Sequence, residues 1–370
     1  MKLLFTASTY SHIAHFHLPY LKWFQERGWE VHTACGGEAF DIPGVNTLAL
    51  PFEKKMTSPR NFRTAQALRR IIKLHRYDLI VTHTSLAAFF TRLAVKGMRK
   101  RPRVINMVHG YLFDDGTPGL KRRVLVAAER LTAAQTDLLL VMNRCDFDLA
   151  QRYHLARRID CIPGIGLDTA RLAAVSPEAR MVLRSQYGIP QDGFALLYPA
   201  EFSERKSQTV LLRAMERLPG NVYLLLPGDG VLLEECKTYA RAMGLAERVI
   251  FPGQIRDMAP WYAAADASVS ASRSEGLPFN IMEAMYVGLP VVASAVKGHV
   301  DLIRDGETGM LYTYGDADSC AGRIRALLAS AELRREMGVR AREAVLPYTL
   351  ARVFPQVTAL YETFFPVPAH

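Results

Sequence analysis

The sequence predicts an α/β protein built from two doubly wound parallel-sheet domains whose strand ends face one cleft. Three observations carry this prediction. Short apolar runs alternate with amphipathic segments along almost the whole chain, the rhythm of parallel strands joined by crossover helices. Several runs are continuously apolar rather than alternating, as in strands covered on both faces. The rhythm breaks once, where Pro163-Gly164-Ile165-Gly166 ends one series and Gly188-Ile189-Pro190 opens the next. The 370 residues suit two domains at roughly 100–200 residues each.

In the first series the apolar runs predict strands at 3–7, 30–34, 79–83, 104–109 and 138–142. Amphipathic patterns predict helices at 19–27, 60–75 and 120–132. The second series repeats the scheme, with strands at 195–199, 222–226, 248–251, 267–270, 290–293 and 309–312. Its helices are predicted at 207–218, 232–242 and 280–286. In open α/β sheets, ligands bind outside the carboxyl ends of the strands, so the loops that follow the strands are where chemistry is sought.

Composition narrows the class. Hydrophobic residues make up 49% and charged residues 22%, which excludes wholesale disorder. Five scattered cysteines without a CxxC pair argue against a disulfide framework or a structural zinc site and for a reducing compartment. No apolar run reaches the roughly 18–20 residues that span a bilayer, and the opening segment is too short for a signal peptide. A soluble, cytoplasmic protein is expected.

The net charge of +10 is uneven. Residues 1–175 hold 26 Lys and Arg against 14 Asp and Glu, a net of +12; residues 176–370 hold 20 against 22, a net of −2. The excess gathers at 54–76, 92–103 and 121–123, interleaved with Phe62, Phe89, Phe90 and Leu120. Such stripes attract polyanions or are simply a solvated surface. No nucleic-acid-binding signature accompanies them, so no nucleic-acid partner is expected, and an anionic membrane leaflet is the favoured one.

The densest chemistry lies between Ala267 and Met285. A strand ends near Ala271, a loop carries Glu275 and Gly276, and Pro278 stands where a helix begins, as prolines favour. The N–H groups of Phe279, Asn280 and Ile281 then suit a phosphate. Glu283, a turn further in, would repel that phosphate but can accept hydrogen bonds from ribose hydroxyls. Glu275 can lean toward a sugar. The bland alternative makes Glu275 a surface acid and Glu283 a dipole-stabilising one. After the first strand of the second series, Arg205 and Lys206 stand at a helix start, the wrong end for cations unless an anion is bound. The Pro227-Gly228-Asp229-Gly230 turn permits close backbone approach to a ligand at Gly228 and Gly230.

These elements resemble glycosyltransferase family 4, the retaining, two-domain sugar transferases of GT-B fold. The second half carries the resemblance in the Glu275-x7-Glu283 pair within SEGLPFNIMEAM, the basic ERKSQ loop and the PGDG turn. It extends over nearly the whole chain. FTASTYSHIAHFHLPYLKWFQERGWEVHTA, VHGYLF, LLLVMNRCDFDLA and IPGIGLDTARL are similar to the branch that builds bacterial exopolysaccharides and capsules. One departure stands out: Ala200-Glu201 occupies the place where many relatives have Gly-Arg, which passes that arginine's duty to Arg205.

The resemblance implies a metal-independent hexosyltransferase without a cofactor, on the inner face of the plasma membrane. It would move a sugar from a nucleotide diphospho-sugar to a lipid-linked or oligosaccharide acceptor. Residues 1–167 with a returning tail (348–370) would bind the acceptor, 168–189 would link, and 190–347 would bind the donor. Glu275 would position the sugar, Glu283 the ribose, and Arg205 and Lys206 the diphosphate. His109 in the VHGYLF segment would contact donor sugar or acceptor, and His12, in the loop after the first strand, the acceptor side. His15, His17 and His83 read as structural. Asp146-Phe-Asp148 and Asp316-Ala-Asp318 have a DxD spelling but stand at helix starts. The chain lacks both a GxxxxGK[ST] loop and a GxGxxG after its first strand, which leaves triphosphatases and dinucleotide dehydrogenases without a foothold. An epimerase or hydrolase on the same scaffold, or a non-catalytic nucleotide-sugar-binding assembly subunit, is the alternative.

Overall fold

The computed structural model describes residues 1–53, 55–172 and 177–364. Lys54 of the basic stretch, residues 173–176 of the expected linker and residues 365–370 of the tail lie outside them. The chain divides into two units, Met1–Ile165 together with the chain from Phe354, and Gly166–Val353.

The first unit holds strands β1 (Lys2–Ala7), β2 (Glu30–Cys35), β3 (Val45–Ala49), β4 (Leu79–His83), β5 (Arg103–Met107), β6 (Leu138–Val141) and β7 (Ile159–Cys161). All pair in parallel, in the order β3-β2-β1-β4-β5-β6-β7. The second unit holds β8 (Phe194–Leu197), β9 (Val222–Leu225), β10 (Val249–Ile250), β11 (Ala267–Ser270), β12 (Val291–Ser294) and β13 (Met310–Tyr312). These too are parallel, in the order β10-β9-β8-β11-β12-β13. Each order reverses once, between β1 and β4 and between β8 and β11, and such a reversal opens a crevice at the strands' carboxyl ends.

The central strands are buried along their whole length, as in β4, β6 and β11, which is why they read as unbroken apolar runs. The two strands without a sequence prediction, β3 and β7, are edge strands with half-exposed, partly polar residues. The helix Ser85–Val95 also escaped prediction. Most of its residues are buried and none is exposed, so it lacks the solvated polar face of a surface helix. The predicted strand 104–109 stops at Met107, leaving His109 in the following loop.

The domain boundaries need correction. Leu167 N donates to Tyr348 O (2.9 Å), Leu350 N donates to Leu167 O (2.8 Å), and a Cβ on Gly166 would stand 2.6 Å from Leu350 Cα. The junctions therefore fall at 165/166 and 353/354 rather than at 167 and 348. The described residues of the expected linker, 168–172 and 177–189, are part of the second unit. Its helix Pro177–Gln186 carries Arg184, fully buried. That guanidinium donates to the carbonyls of Ala264, Pro190, Gln191 and Gly193 and to Asp266 Oδ2 at 2.6 Å. From Phe354 the chain returns to the first unit, where Tyr361 packs on Phe24 and Tyr20. Among the described residues no helix is long and apolar enough to cross a membrane.

Candidate functional site

At the switch point of the second unit, the loop after β8 is held from below. Ala200 N donates to Pro227 O (3.0 Å) and Phe202 N to Asp229 O (2.8 Å). A Cβ on Gly228 would lie 2.0 Å from Ala200 O, and one on Gly230 2.3 Å from Phe202 O; their φ values are +148° and +151°. The close approach these glycines permit is thus to the protein's own backbone. Tyr198 locks the far end of the loop, its hydroxyl donating to Lys206 O (3.0 Å) and meeting Ser272 Oγ at 2.9 Å.

This places Arg205 and Lys206 on Glu275. Lys206 Nζ donates to Glu275 Oε1 (2.7 Å) and Arg205 Nη1 to Oε2 (2.8 Å). The side chains of Glu275 and Lys206 are 9% and 13% exposed and that of Arg205 42%, so the carboxylate and ammonium are buried together while the guanidinium reaches water. The cations read as diphosphate ligands therefore have an acid as their immediate partner, and the cluster keeps an excess of one positive charge. Burial pushes the Glu275 carboxyl up, but Lys206, Arg205 and His299 outweigh it and hold it at about 2. Burial lowers the Lys206 ammonium more than Glu275 restores.

A third segment, after β12, closes on the same acid. Glu275 N donates to Lys297 O (3.3 Å). Gly298, at φ +82°, could not carry a Cβ, which would lie 2.8 Å from Gly276 O and 2.9 Å from Glu275 Cβ. Beside it, buried His299 donates from Nδ1 to Ser294 O (2.7 Å) and accepts at Nε2 from Ser270 Oγ (3.2 Å). Burial lowers its pKa to about 4, so it is neutral near pH 7. Lys297, Gly298 and His299 were not anticipated; the available signal was a glycine-histidine step after a buried strand.

The helix after Glu275, Phe279–Tyr286, starts at Pro278, which supplies no side-chain cap. Asn280 Nδ2 anchors this start to Pro199 O (3.2 Å), and its Oδ1 accepts from Ile281 N (3.0 Å). Of the three amides expected to face a phosphate, that of Ile281 is therefore engaged by its neighbour. Glu283 Oε2 accepts from Tyr262 OH at 2.7 Å. Burial raises the Glu283 pKa, with Tyr262 and Arg171 pulling back. One segment thus presents two carboxyl groups displaced in opposite directions, a division that separates roles at reactive sites.

In the first unit, His12 sits in the helix Tyr10–Phe16 rather than in a loop, and its Nε2 lies 3.3 Å from Nε2 of His109. Two histidines read as structural join them. His17 Nε2 is 3.1 Å from His12 Nε2, and His83 Nδ1 is 3.3 Å from His109 Nε2. Burial lowers all four pKa values, that of His12 to about 4. His15 stays outside this group, its Nδ1 2.6 Å from Ser11 O. The DxD acids have local duties. Asp146 accepts from Tyr111 N and Asn143 Nδ2, Asp148 pairs with Arg144, and Asp316 caps a helix at Ser319 N.

Residues 180–344 match the family model of glycosyl transferases group 1, and residues 17–164 match that of the glycosyl transferase 4-like domain. Over 98% of this chain and 97% of the relative, the sequence is 33% identical to a putative glycosyltransferase EpsD of Bacillus subtilis. It is 30% identical to a D-inositol 3-phosphate glycosyltransferase of Xylanimonas cellulosilytica, over 72% of this chain and 67% of that one. Among solved structures, Anabaena Alr3699/HepE in complex with UDP and glucose superposes with a TM-score of 0.80 at 21% identity, over 98% of this chain and all of that one. A sucrose-phosphate synthase from Thermosynechococcus elongatus gives 0.81 at 22% identity, over 99% of both chains. The structural likeness speaks for the fold and the full-length sequence relative for the family: this chain belongs to the family 4 glycosyltransferases, and its two doubly wound units are those of the GT-B fold.

Proposed function

We propose that the chain is a retaining transferase that moves a sugar from a nucleotide diphospho-sugar to a glycan or lipid-linked acceptor during synthesis of an exopolysaccharide or capsule, with no divalent ion at the diphosphate. The observation that carries this reading is the Arg205–Lys206–Glu275 cluster at the second switch point, with one positive charge in excess. Arg205, partly exposed, turns to the departing diphosphate; Lys206, buried, supplies fixed charge close by, and fixed charge aimed at a leaving group is the largest electrostatic lever at such sites. Glu275 positions the transferring sugar and Glu283 accepts from the ribose hydroxyls. His109 and His12 serve the acceptor side. The UDP and glucose bound by the Anabaena protein support a nucleotide-sugar donor.

A docking face supports a membrane-bound acceptor, reached from the cytoplasmic side. On the helix Gly119–Ala133, Leu120, Val124 and Leu131 are exposed on one side, flanked by exposed Lys121, Arg123 and Arg130. Apolar residues framed by cations suit the headgroup region of an anionic leaflet.

The test supplies UDP-, GDP- and ADP-sugars with a polyprenyl-diphosphate-linked saccharide extract. Transfer of label to the lipid fraction, lost in Glu275→Ala, is expected. A new free sugar or sugar-nucleotide isomer without any acceptor product would mark a hydrolase or epimerase. Donor binding with no chemistry in either protein would mark an assembly subunit.

A further inference from the structure

Four imidazoles converge at the switch point of the first unit. His12 comes from the helix after β1, His17 from the junction between two helices, His83 from the end of β4 and His109 from the loop after β5. One ring nitrogen from each lies within 4.8 Å of the other three. Three of these separations are 3.1, 3.3 and 3.3 Å. Four nitrogens around a tetrahedral zinc ion stand about 3.3–3.4 Å apart, given zinc–nitrogen bonds of about 2.0–2.1 Å.

Hydrogen bonding does not account for the arrangement. A neutral ring nitrogen has one in-plane site, either an N–H or a lone pair. Yet His12 Nε2 faces both His17 and His109, and His109 Nε2 faces both His12 and His83. Whatever the tautomers, at most two of the three contacts can have an N–H and a lone pair to themselves, so one contact must share a proton or lone pair already engaged elsewhere. The outer nitrogens of the two fully buried rings, His17 Nδ1 and His83 Nε2, have no hydrogen-bond partner among the described residues.

We propose that His12, His17, His83 and His109 form a binding site for a divalent transition-metal ion, with zinc as the best match. A cation at the centre takes four lone pairs at once and converts the mismatch into coordination. A donor set of imidazoles without carboxylates selects zinc, copper or nickel over magnesium or calcium, and four-coordinate closure favours zinc. The second histidine cluster, Glu30–His32–His75, differs: Glu30, Asn46 and Tyr77 already occupy both nitrogens of His32. Metal held at the four histidines would occupy Nε2 of His109 and His12. On the reading that these rings serve the acceptor, it acts as an inhibitory or regulatory ion, distinct from any ion at the donor diphosphate.

The test uses the tag-free full chain, stripped with a chelator and titrated with zinc chloride by calorimetry. Cobalt(II) serves as an optical probe of coordination. One equivalent of zinc, and the intense visible bands of four-coordinate cobalt, are expected. The double variant His17→Gln/His83→Gln should bind at least 100-fold more weakly, while His75→Gln retains the equivalent. No stoichiometric uptake by the wild-type chain, weak six-coordinate cobalt bands, or loss of the equivalent in His75→Gln alone would overturn the site. The wild-type result stands whether or not the double variant folds. No sugar enters the assay, so its failure leaves the glycosyl-transfer proposal untouched.

Discussion

Replacing Lys206 with methionine removes the more buried of the two cations that hold Glu275 ionised. The carboxyl is lowered from its ordinary 4.5 to about 2, a preference for the charged form worth about 3 kcal/mol at 1.36 kcal/mol per unit. Lys206 carries most of it, because the Arg205 side chain is 42% exposed and its attraction is screened by solvent. Methionine also relieves the burial of the ammonium, so a net loss of about 2 kcal/mol at pH 7 follows, below the 3–5 kcal/mol of an uncompensated buried pair. The pH dependence has a definite sign. A depressed carboxyl stabilises the fold above about pH 4.5 and loses that contribution as pH falls through about 2. In Lys206→Met the contribution at neutral pH shrinks and its loss on acidification is complete at higher pH. Urea unfolding of the full chain reads this in a Trp23→Phe/Trp29→Phe background, where Trp261 remains to report on the second unit. Wild-type stability at pH 7 together with an unchanged acid limb would refute the coupling.

His299, the one histidine within residues 166–353, has its pKa lowered from 6.5 to about 4. The unfolded chain therefore binds the extra proton first, and the second unit loses up to about 3 kcal/mol as pH falls from 6.5 to 4. His299→Gln should flatten that part of the Trp261-reported stability curve. Gly228→Ala should cost about 3 kcal/mol or more, since a forbidden φ and a clash with Ala200 O combine. Gly322→Ala, exposed in the helix Ala317–Ala329 with open space at its Cβ, should instead gain about 1 kcal/mol; thermal scans of both read the contrast. Tyr262→Phe removes the hydrogen bond to Glu283, a contact to a charged group worth about 1.5–3 kcal/mol. The donor KM should rise tenfold or more, with a larger rise at low pH because Glu283 protonates more readily; an unchanged KM at every pH would contradict the ribose-holding role.

The sheets were legible because their central strands are buried on both faces, as in β4 and β11, which leaves an apolar signature independent of tertiary detail. Edge strand β3, partly polar and half-exposed, left no such run, and the helix Ser85–Val95 is apolar but without the solvated face that would mark it as a helix. Arg205 and Lys206 could be singled out because cations at a helix start conflict with local stability rules, and Glu275 because it stands in the loop before a helix, eight residues from Glu283. Their mutual pairing was hidden because it joins loops 69–70 residues apart. His17 and His83 show the same limit more sharply. Each reads as an ordinary core histidine in its own segment, and only the β1–β4–β5 adjacency brings them against His12 and His109. Gly228 and Gly230 were visible as special, but the partner they admit is the loop 200–202 and not something sequence alone identifies.

The most direct test of the central claim, that the cations at the second switch point grip the diphosphate of a nucleotide sugar, is calorimetric titration of the full chain with uridine, guanosine and adenosine diphosphates against their monophosphates. One diphosphate should bind at least tenfold more tightly than its monophosphate, and Arg205→Met should erase that difference without loss of fold. Equal affinity for the two nucleotides, or a diphosphate preference that survives Arg205→Met, would contradict it.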